Sequence, residues 1–129
     1  MKDNNNIFLI ELATKKIIED CELLFGFNFS YPKISNFHND FQKYYYFKFQ
    51  KNTFKKINNW IHLLKITGRL TVIVDFEIKE DIIFYKLEFK FDYYPCKNFE
   101  NEKFEKSLIK EYSKIFDKTF KKFGFRKVG

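Results

Sequence analysis

Glycine is scarce in this chain of 129 residues, which contains only four. Gly26, Gly68 and Gly124 each follow a segment with helical periodicity, a position where glycine commonly ends a helix. Gly129 is the final residue. No glycine therefore remains to build a phosphate-binding loop, and neither GxGxxG nor GxxxxGK(S/T) occurs. These absences argue against the common nucleotide-dependent enzymes.

Cysteine and histidine are also rare, with two of each. Cys21 and Cys96 form no CxxC pair, and His38 and His62 form no HExxH or HxH pattern. No GxSxG elbow or other catalytic motif is present. We therefore expect no catalytic site, no metal site and no cofactor. Two distant cysteines favour free thiols in a reducing compartment, with Cys21 as a small core residue.

Long apolar runs are missing as well. No run of about 18 apolar residues occurs, and Met1–Asn6 lacks the basic and apolar regions of a signal peptide. We expect neither membrane insertion nor export and predict a cytoplasmic protein. The length suits one domain over residues 1–129.

Basic residues are abundant, and the formal net charge is +7. Such a charge suits a nucleic acid or another anionic surface. Only Arg69 and Arg126 are arginine, however, and arginine is the residue preferred for bidentate phosphate and base contacts. Lysine, asparagine, phenylalanine, tyrosine and isoleucine are all favoured by A/T-rich codons. The basic charge therefore has two explanations, one functional and one compositional.

Apolar residues at helical spacing predict three helices, over residues 7–25, 53–67 and 104–123. In the first they are Ile10, Ala13, Ile17, Cys21 and Leu24; in the second Phe54, Ile57, Ile61 and Leu64; in the third Phe104, Leu108, Tyr112, Ile115, Phe116 and Phe123. Asn52 is a candidate N-cap for the second helix, and Gly68 would end it.

Alternating apolar residues predict strands between these helices. Phe27, Phe29 and Tyr31 suggest a short edge strand, followed by a loop over residues 34–42. Residues 44–50 form a clearer strand. Its inward face is expected to carry Tyr45, Phe47 and Phe49.

Two strictly alternating runs predict a β-hairpin over residues 69–92. A turn at Glu80 and Asp81 would pair residues whose numbers sum to 161, which sets Val74 opposite Leu87 and places the paired apolar residues of the two alternating runs on one face. A shift of the strand pairing by one residue would set the apolar residues of one strand opposite the polar residues of the other. Because Glu-Asp is not a favoured two-residue turn, a four-residue loop with the same register fits equally well.

These elements predict an α+β fold of the order α-β-β-α-β-β-α. Short antiparallel strands leave one sheet face to be covered, and each helix carries one apolar stripe. We therefore expect a two-layer sandwich, with an antiparallel sheet of three to four strands packed on one face by three helices.

The leading functional hypothesis is a non-enzymatic protein-binding module: an adaptor, a chaperone or an inhibitor of the phage or mobile-element type. Its partner would be another protein or a second copy of the chain. Two helical surfaces would provide the contact, one basic and one apolar. The basic residues are Lys103, Lys106, Lys110, Lys114 and Lys118, and the apolar ones are Leu9, Leu12 and Leu23. A polar helix face with no partner is the simpler interpretation of the lysines.

The alternative hypothesis is a protein that binds single-stranded RNA or DNA. Aromatic and lysine side chains on the outer face of the sheet would stack on bases and contact phosphates. These residues are Tyr44, Tyr46, Lys48, Phe84, Lys86 and Lys90. A solvated face explains the same residues without a ligand.

Overall fold

Two helices and five strands are present in the computed structural model, which describes residues 2–25, 33–39, 41–94 and 102–128. In chain order these are α1 (Lys2–Phe25), β1 (Lys33–Asn39), β2 (Gln42–Ile57), β3 (Trp60–Lys79), β4 (Ile82–Tyr94), α2 (Glu102–Lys122) and β5 (Arg126–Lys127). The fold is α+β, as the sequence predicts, and the first and last predicted helices are confirmed as α1 and α2.

The strands form one sheet in the order β1-β2-β3-β4-β5. Strands β1 to β4 are consecutive and antiparallel, as in a meander. The two-residue β5 instead runs parallel to β4, beside Phe84 and Tyr85. The sheet is therefore mixed, and the prediction of a purely antiparallel sheet is wrong because the chain returns after α2 to add this last short strand.

The predicted register of the β3–β4 hairpin is confirmed. Val74 lies opposite Leu87, and all paired residues have numbers that sum to 161. The connection is the two-residue turn rather than the four-residue loop, and Glu80 and Asp81 adopt φ angles of 52° and 64°. Two consecutive left-handed residues are typical of a type I′ turn, whose twist matches that of the flanking strands.

The predicted helix over residues 53–67 is wrong. This segment forms the end of β2, a turn at Asn58 and Asn59, and the start of β3. Both asparagines adopt positive φ angles, 48° and 67°, and asparagine tolerates this conformation better than most residues. The apolar spacing suits a helix, but the Asn-Asn turn reverses the chain midway and pairs the two halves as strands.

Two further predictions concern the segment before β2. The loop predicted over residues 34–42 is mostly strand, since β1 extends from Lys33 to Asn39 and pairs with β2. The short strand predicted at Phe27, Phe29 and Tyr31 lies outside the described residues. With the middle helix replaced by strands, the expected three helices become two in the described part of the chain.

Both helices pack on one face of the sheet and bury its apolar side chains. The predicted inward residues Tyr45, Phe47 and Phe49 are buried. Rings of α2 contact this face along its length: Phe104 lies 5.3 Å from Phe49, Tyr112 4.4 Å from Phe47, Phe116 5.0 Å from Tyr45 and Phe120 4.6 Å from Tyr85, between ring centroids. Aromatic pairs at these distances stabilise a core beyond the area that they bury.

Polar contacts also fix the helices to the sheet. The fully buried Lys43 of β2 forms an ion pair with Glu11 of α1. The Tyr85 hydroxyl donates a hydrogen bond of 2.7 Å to Asp117 of α2. Burial raises the pKa of Tyr85 well above its ordinary value of about 10, so this hydroxyl keeps its proton at neutral pH.

The C-terminus of α2 ends as the sequence predicts, at Gly124. This glycine has a φ of 81°, and the Phe125 amide donates a 3.0 Å hydrogen bond to the Phe120 carbonyl. That geometry is typical of a glycine C-cap. The reversal buries Phe125 in the core and brings β5 alongside β4.

Candidate functional site

Within the described residues, the β2–β3 hairpin extends beyond the strands on either side of it. Pairing between β3 and β4 ends at Thr67 and Tyr94, whereas β2 and β3 stay paired as far as Ile57 and Trp60. In the described part of the chain, residues 51–57 and 60–66 pair only with each other. We name residues 51–66 the arm. Its strands are about 23 Å long at about 3.3 Å per residue.

The end of the arm exposes five large apolar side chains. Their exposed fractions range from 43% for Ile57 to 73% for Trp60. They are Phe54, Ile57, Trp60, Ile61 and Leu63. Large apolar side chains clustered in this way are uncommon on the surface of a monomer and mark interaction sites.

These side chains occupy both faces of the arm. Phe54 pairs with Leu63, and Ile57 pairs with Trp60. Paired residues share a face, and faces alternate along a strand. The Phe54 pair therefore lies on one face and the Ile57 pair on the other. A sheet packed on one layer needs only one apolar face, so the arm exposes more apolar surface than its own packing requires.

The sequence that forms β2 and most of β3 contains basic residues and no acidic ones. Between Asp40 and Asp75 the sequence contains no aspartate or glutamate. The basic residues in this interval are Lys43, Lys48, Lys51, Lys55, Lys56, Lys65 and Arg69. The arm thus combines exposed apolar side chains with a sequence that has lysines and no acidic residue.

The base of the arm is fixed by Gly68. This residue is buried in β3 opposite Phe49. A Cβ atom at Gly68 would lie 2.4 Å from Cζ of Phe49 and 2.7 Å from the Asp92 carbonyl oxygen. Glycine in a strand often marks such a close approach. Gly68 therefore does not end a helix, as its position in the sequence predicts, but makes room for the Phe49 ring at the point where the arm leaves the sheet.

The lysines predicted on the last helix lie together on α2. All five side chains, at positions 103, 106, 110, 114 and 118, are exposed. They extend over about 22 Å of helix at about 1.5 Å per residue. Lys114 lies 3.9 Å from Glu111. The structure thus places these lysines on one continuous surface, on the helical layer of the molecule.

Two of the leucines predicted on the first helix differ in exposure. Leu9 is partly buried and packs against the core, whereas Leu12 is 40% exposed. The Leu23 side chain lies outside the described residues. Phe8, one turn before Leu12, is 62% exposed. Among the described side chains of α1, the large apolar ones that are exposed are therefore Phe8 and Leu12.

The aromatic residues predicted on the outer sheet face separate into two places. Tyr44 and Tyr46 are neighbours, with ring centroids 6.4 Å apart, and both are partly buried. Tyr44 is level with Glu88 of β4 through their common partner Ile73. Phe84 lies four residues further along β4, about 13 Å away along the strand. The structure does not bring Phe84 together with the tyrosines.

The cations of this outer face lie close to acidic side chains. Lys90 is 3.9 Å from Glu88, and Lys86 pairs with Asp75 in the β3–β4 register. Lys48 is exposed beside Arg69, whose guanidinium lies 5.1 Å from the Tyr46 ring centroid and 3.5 Å from the Asp92 carboxylate. The face therefore has mixed charge, unlike the arm.

The arm is the surface that periodicity alone does not reveal. Two sequence features identify it once they are considered together. One is the Asn58-Asn59 pair, which favours a tight turn, and the other is the absence of acidic residues over 41–74.

No protein-family model, curated protein or solved structure matches this chain. Among the helical residues that the structure describes, no helix is both long and apolar enough to cross a membrane. Within the same described ranges, no three His, Cys, Asp or Glu side chains are grouped so that they could hold a metal ion. Functional proposals for this chain therefore rest on its own surfaces.

Proposed function

We propose that this chain is a non-enzymatic protein-binding module of the adaptor, chaperone or inhibitor type, that it acts in the cytoplasm, and that the arm is its contact element. The observation that carries the proposal is the group of five exposed apolar side chains at the end of the arm. Burial of such side chains on a partner provides binding free energy, and Trp60 is of the residue type most enriched at binding hot spots.

The shape of the arm defines the shape of the partner site. Apolar side chains on both faces cannot be covered by one flat surface. A groove or cleft that encloses the tip would cover the Phe54–Leu63 pair and the Ile57–Trp60 pair together. We therefore infer that the arm inserts into a concave apolar site, in the way that an inhibitor occupies a cleft.

The charge of the arm defines the surroundings of that site. Lys56 and His62 are exposed near the apolar side chains, and no acidic residue occurs in this part of the sequence. Acidic residues around the groove would increase the association rate through long-range attraction. Added salt should therefore slow association more than it speeds dissociation.

The test combines site-specific crosslinking with arm substitutions. A photo-crosslinking amino acid replaces Ile61 in the full chain, and a second version carries it at Val128, an exposed apolar residue far from the arm in sequence. We expect a discrete protein adduct from position 61 and none from position 128 in extracts of cells that make the protein. Trp60→Ser with Ile61→Ser should remove the same protein from a pull-down.

Two control variants separate the arm from the surfaces predicted by the sequence. Phe8→Ser with Leu12→Ser changes the exposed pair on α1, and Lys106→Glu with Lys110→Glu changes the lysines of α2. Both should retain the partner that the arm variant loses. If the arm variant still binds the partner and either control variant does not, the proposal is contradicted and binding is assigned to the helical layer.

Binding to a membrane surface is the result that would replace binding to a protein partner. Apolar side chains flanked by lysines also suit anionic headgroups. Sedimentation with vesicles of phosphatidylcholine and phosphatidylserine distinguishes the two. We expect the full chain to stay in the supernatant. Sedimentation that depends on Trp60 would overturn the choice of a protein.

Binding of single-stranded RNA or DNA by the outer sheet face stays a prediction with less support. Its aromatic residues are divided between two places, and acidic residues lie among its cations. Fluorescence anisotropy with a labelled oligonucleotide at low salt provides the measurement. Tight binding that is lost when Lys48, Lys86 and Lys90 are all changed to glutamate would favour this alternative.

A further inference from the structure

The exposed face of α2 is the second unusual surface of the molecule. Every residue of this helix lies within the described part of the chain. Seven of its ten exposed side chains are lysine, two are glutamate and one is serine. The exposed face therefore carries five more positive than negative charges, and none of its side chains is apolar.

Six of these lysines form one straight row along the helix. They follow one another at intervals of three or four residues, which is the spacing of neighbours on one helix face. They lie within about 120° of arc, opposite the buried residues Leu108, Tyr112 and Phe116. The row extends over about 27 Å at about 1.5 Å per residue. We name these six residues the lysine row: Lys103, Lys106, Lys110, Lys114, Lys118 and Lys121.

Acidic side chains neutralise the lysine row only in part. Asp117 lies on the same arc, but it accepts a hydrogen bond from Tyr85 and forms a 3.2 Å ion pair with Lys127. Its charge is therefore shared with groups at the edge of the sheet. Glu111 lies 3.9 Å from Lys114 at the margin of the row. Lysines three or four residues apart repel each other and destabilise a helix. A polyanion bound along the row would relieve this repulsion.

The composition of this surface distinguishes a nucleic acid from a protein or a membrane. Protein interfaces depend on aromatic and apolar anchors, and lysine is depleted in them. Helices that bind membrane surfaces insert an apolar face beside their cations, whereas the apolar face of α2 is buried in its own core. Contacts with phosphate need only cations, and flexible lysines provide them without exact geometry. The lysine row therefore suits a nucleic acid best.

The same composition indicates a duplex and binding without sequence preference. Single strands are held by aromatic side chains that stack on their bases, and none of the exposed side chains of α2 is aromatic. A duplex is stiff and carries one negative charge per about 1.7 Å of its axis, so a straight row can contact several phosphates. Bases are read mainly by arginine, asparagine and glutamine, and the exposed face of α2 contains none of these.

We propose that the lysine row binds the phosphate backbone of a nucleic-acid duplex without sequence preference. The row belongs to the helical layer, whereas the arm is formed by β2 and β3. The two surfaces share no residue. This proposal therefore stands or fails independently of the proposed function.

Fluorescence anisotropy with a labelled DNA duplex of about 20 base pairs, which is longer than the row, provides the measurement. We expect the full chain to bind two duplexes of unrelated sequence with equal affinity. Between about 50 and 200 mM salt, the logarithm of the association constant should fall with the logarithm of the salt concentration at a slope of about −4, as for four or five neutralised phosphates.

Substitution in the middle of the row tests its role. Lys106→Gln with Lys110→Gln and Lys114→Gln removes three charges, and glutamine has a helix propensity close to that of lysine. The salt slope should become less steep by about 1 for each lysine removed. Affinity at about 50 mM salt should fall at least about tenfold. Circular dichroism confirms that the variant is folded.

Lys48→Gln with Lys86→Gln and Lys90→Gln is the matched control, because it removes the same charge from the outer sheet face. This control and Trp60→Ser with Ile61→Ser should bind the duplex as tightly as wild type. Equal losses in the two triple variants would assign binding to the net charge of +7 and overturn the proposal. A wild-type chain that does not bind at about 50 mM salt would also overturn it. So would a row variant that still binds the duplex but loses the protein that crosslinks to the arm.

Discussion

The two long hairpins of this molecule share a backbone design and differ in burial. Both close with two consecutive left-handed residues, Asn58-Asn59 in the arm and Glu80-Asp81 in the β3–β4 hairpin. Along β3 and β4 the apolar side chains of one face lie under helices. In the arm the five large apolar side chains that the structure describes are exposed. Isolated two-stranded hairpins are marginally stable in water, so the arm derives little stability from its own apolar residues.

The largest predicted difference concerns the removal of one aromatic side chain from each region. Phe116 is fully buried in α2, and its ring contacts Tyr45 and Phe120. Phe116→Ala should lower the free energy of unfolding by about 3–5 kcal/mol. Trp60→Ala should change it by less than about 0.5 kcal/mol, because Trp60 is exposed. Urea denaturation of both variants provides the comparison.

The difference between the two variants would disappear if Trp60 contributed to the stability of the isolated chain. A loss of more than about 2 kcal/mol for Trp60→Ala, of the size expected for a buried aromatic residue, would mean that the arm packs on its own chain. Measurement at several protein concentrations separates this outcome from burial in an oligomer, since only the latter depends on concentration.

A second, smaller effect is predicted where the two regions join. Gly68→Ala would place a methyl group against the Phe49 ring and the Asp92 carbonyl. The backbone oxygen cannot move aside without disturbing the β3–β4 pairing, so we expect a loss of about 1–3 kcal/mol. Thr67→Ala, one residue earlier and only partly buried, is the matched control and should cost less. Equal unfolding midpoints for wild type and Gly68→Ala would show that the Phe49 ring moves aside without a loss of stability.

The sequence predicts the β3–β4 hairpin correctly because burial and alternation agree there. Each inward residue from Leu70 to Phe76 is apolar, and only one register puts all partners on the same face. The arm has no such signal. Phe54, Ile57 and Ile61 are spaced as on a helix, and in the absence of a covering layer no inward face imposes a two-residue period. Burial under the helices, rather than local propensity, therefore makes the β3–β4 hairpin predictable from the sequence. The arm lacks this burial and is not predicted.

The same difference in burial decides which candidate surfaces could be predicted from the sequence. Exposure of the α2 lysines could be predicted, because a helix with one buried stripe must present its other face to solvent. The apolar tip of the arm could not, because apolar residues are ordinarily assigned to the core. The sequence therefore predicts that Phe54 and Ile61 face inward from a helix. Residues whose position contradicts this rule are the ones on which the proposed protein contact rests.

The smallest predicted effect concerns the two turns. Glutamate is strained at a φ of 52°, and asparagine is less so. Glu80→Asn should raise the free energy of unfolding by about 0.5–1 kcal/mol, and Asn58→Glu should weaken the arm turn by a similar amount. We expect the arm to open locally, since its strands pair only with each other within the described residues, so Asn58→Glu should speed hydrogen exchange of arm amides and leave the urea midpoint unchanged. A midpoint that falls with Asn58→Glu as much as it rises with Glu80→Asn would show instead that the arm unfolds together with the rest of the sheet.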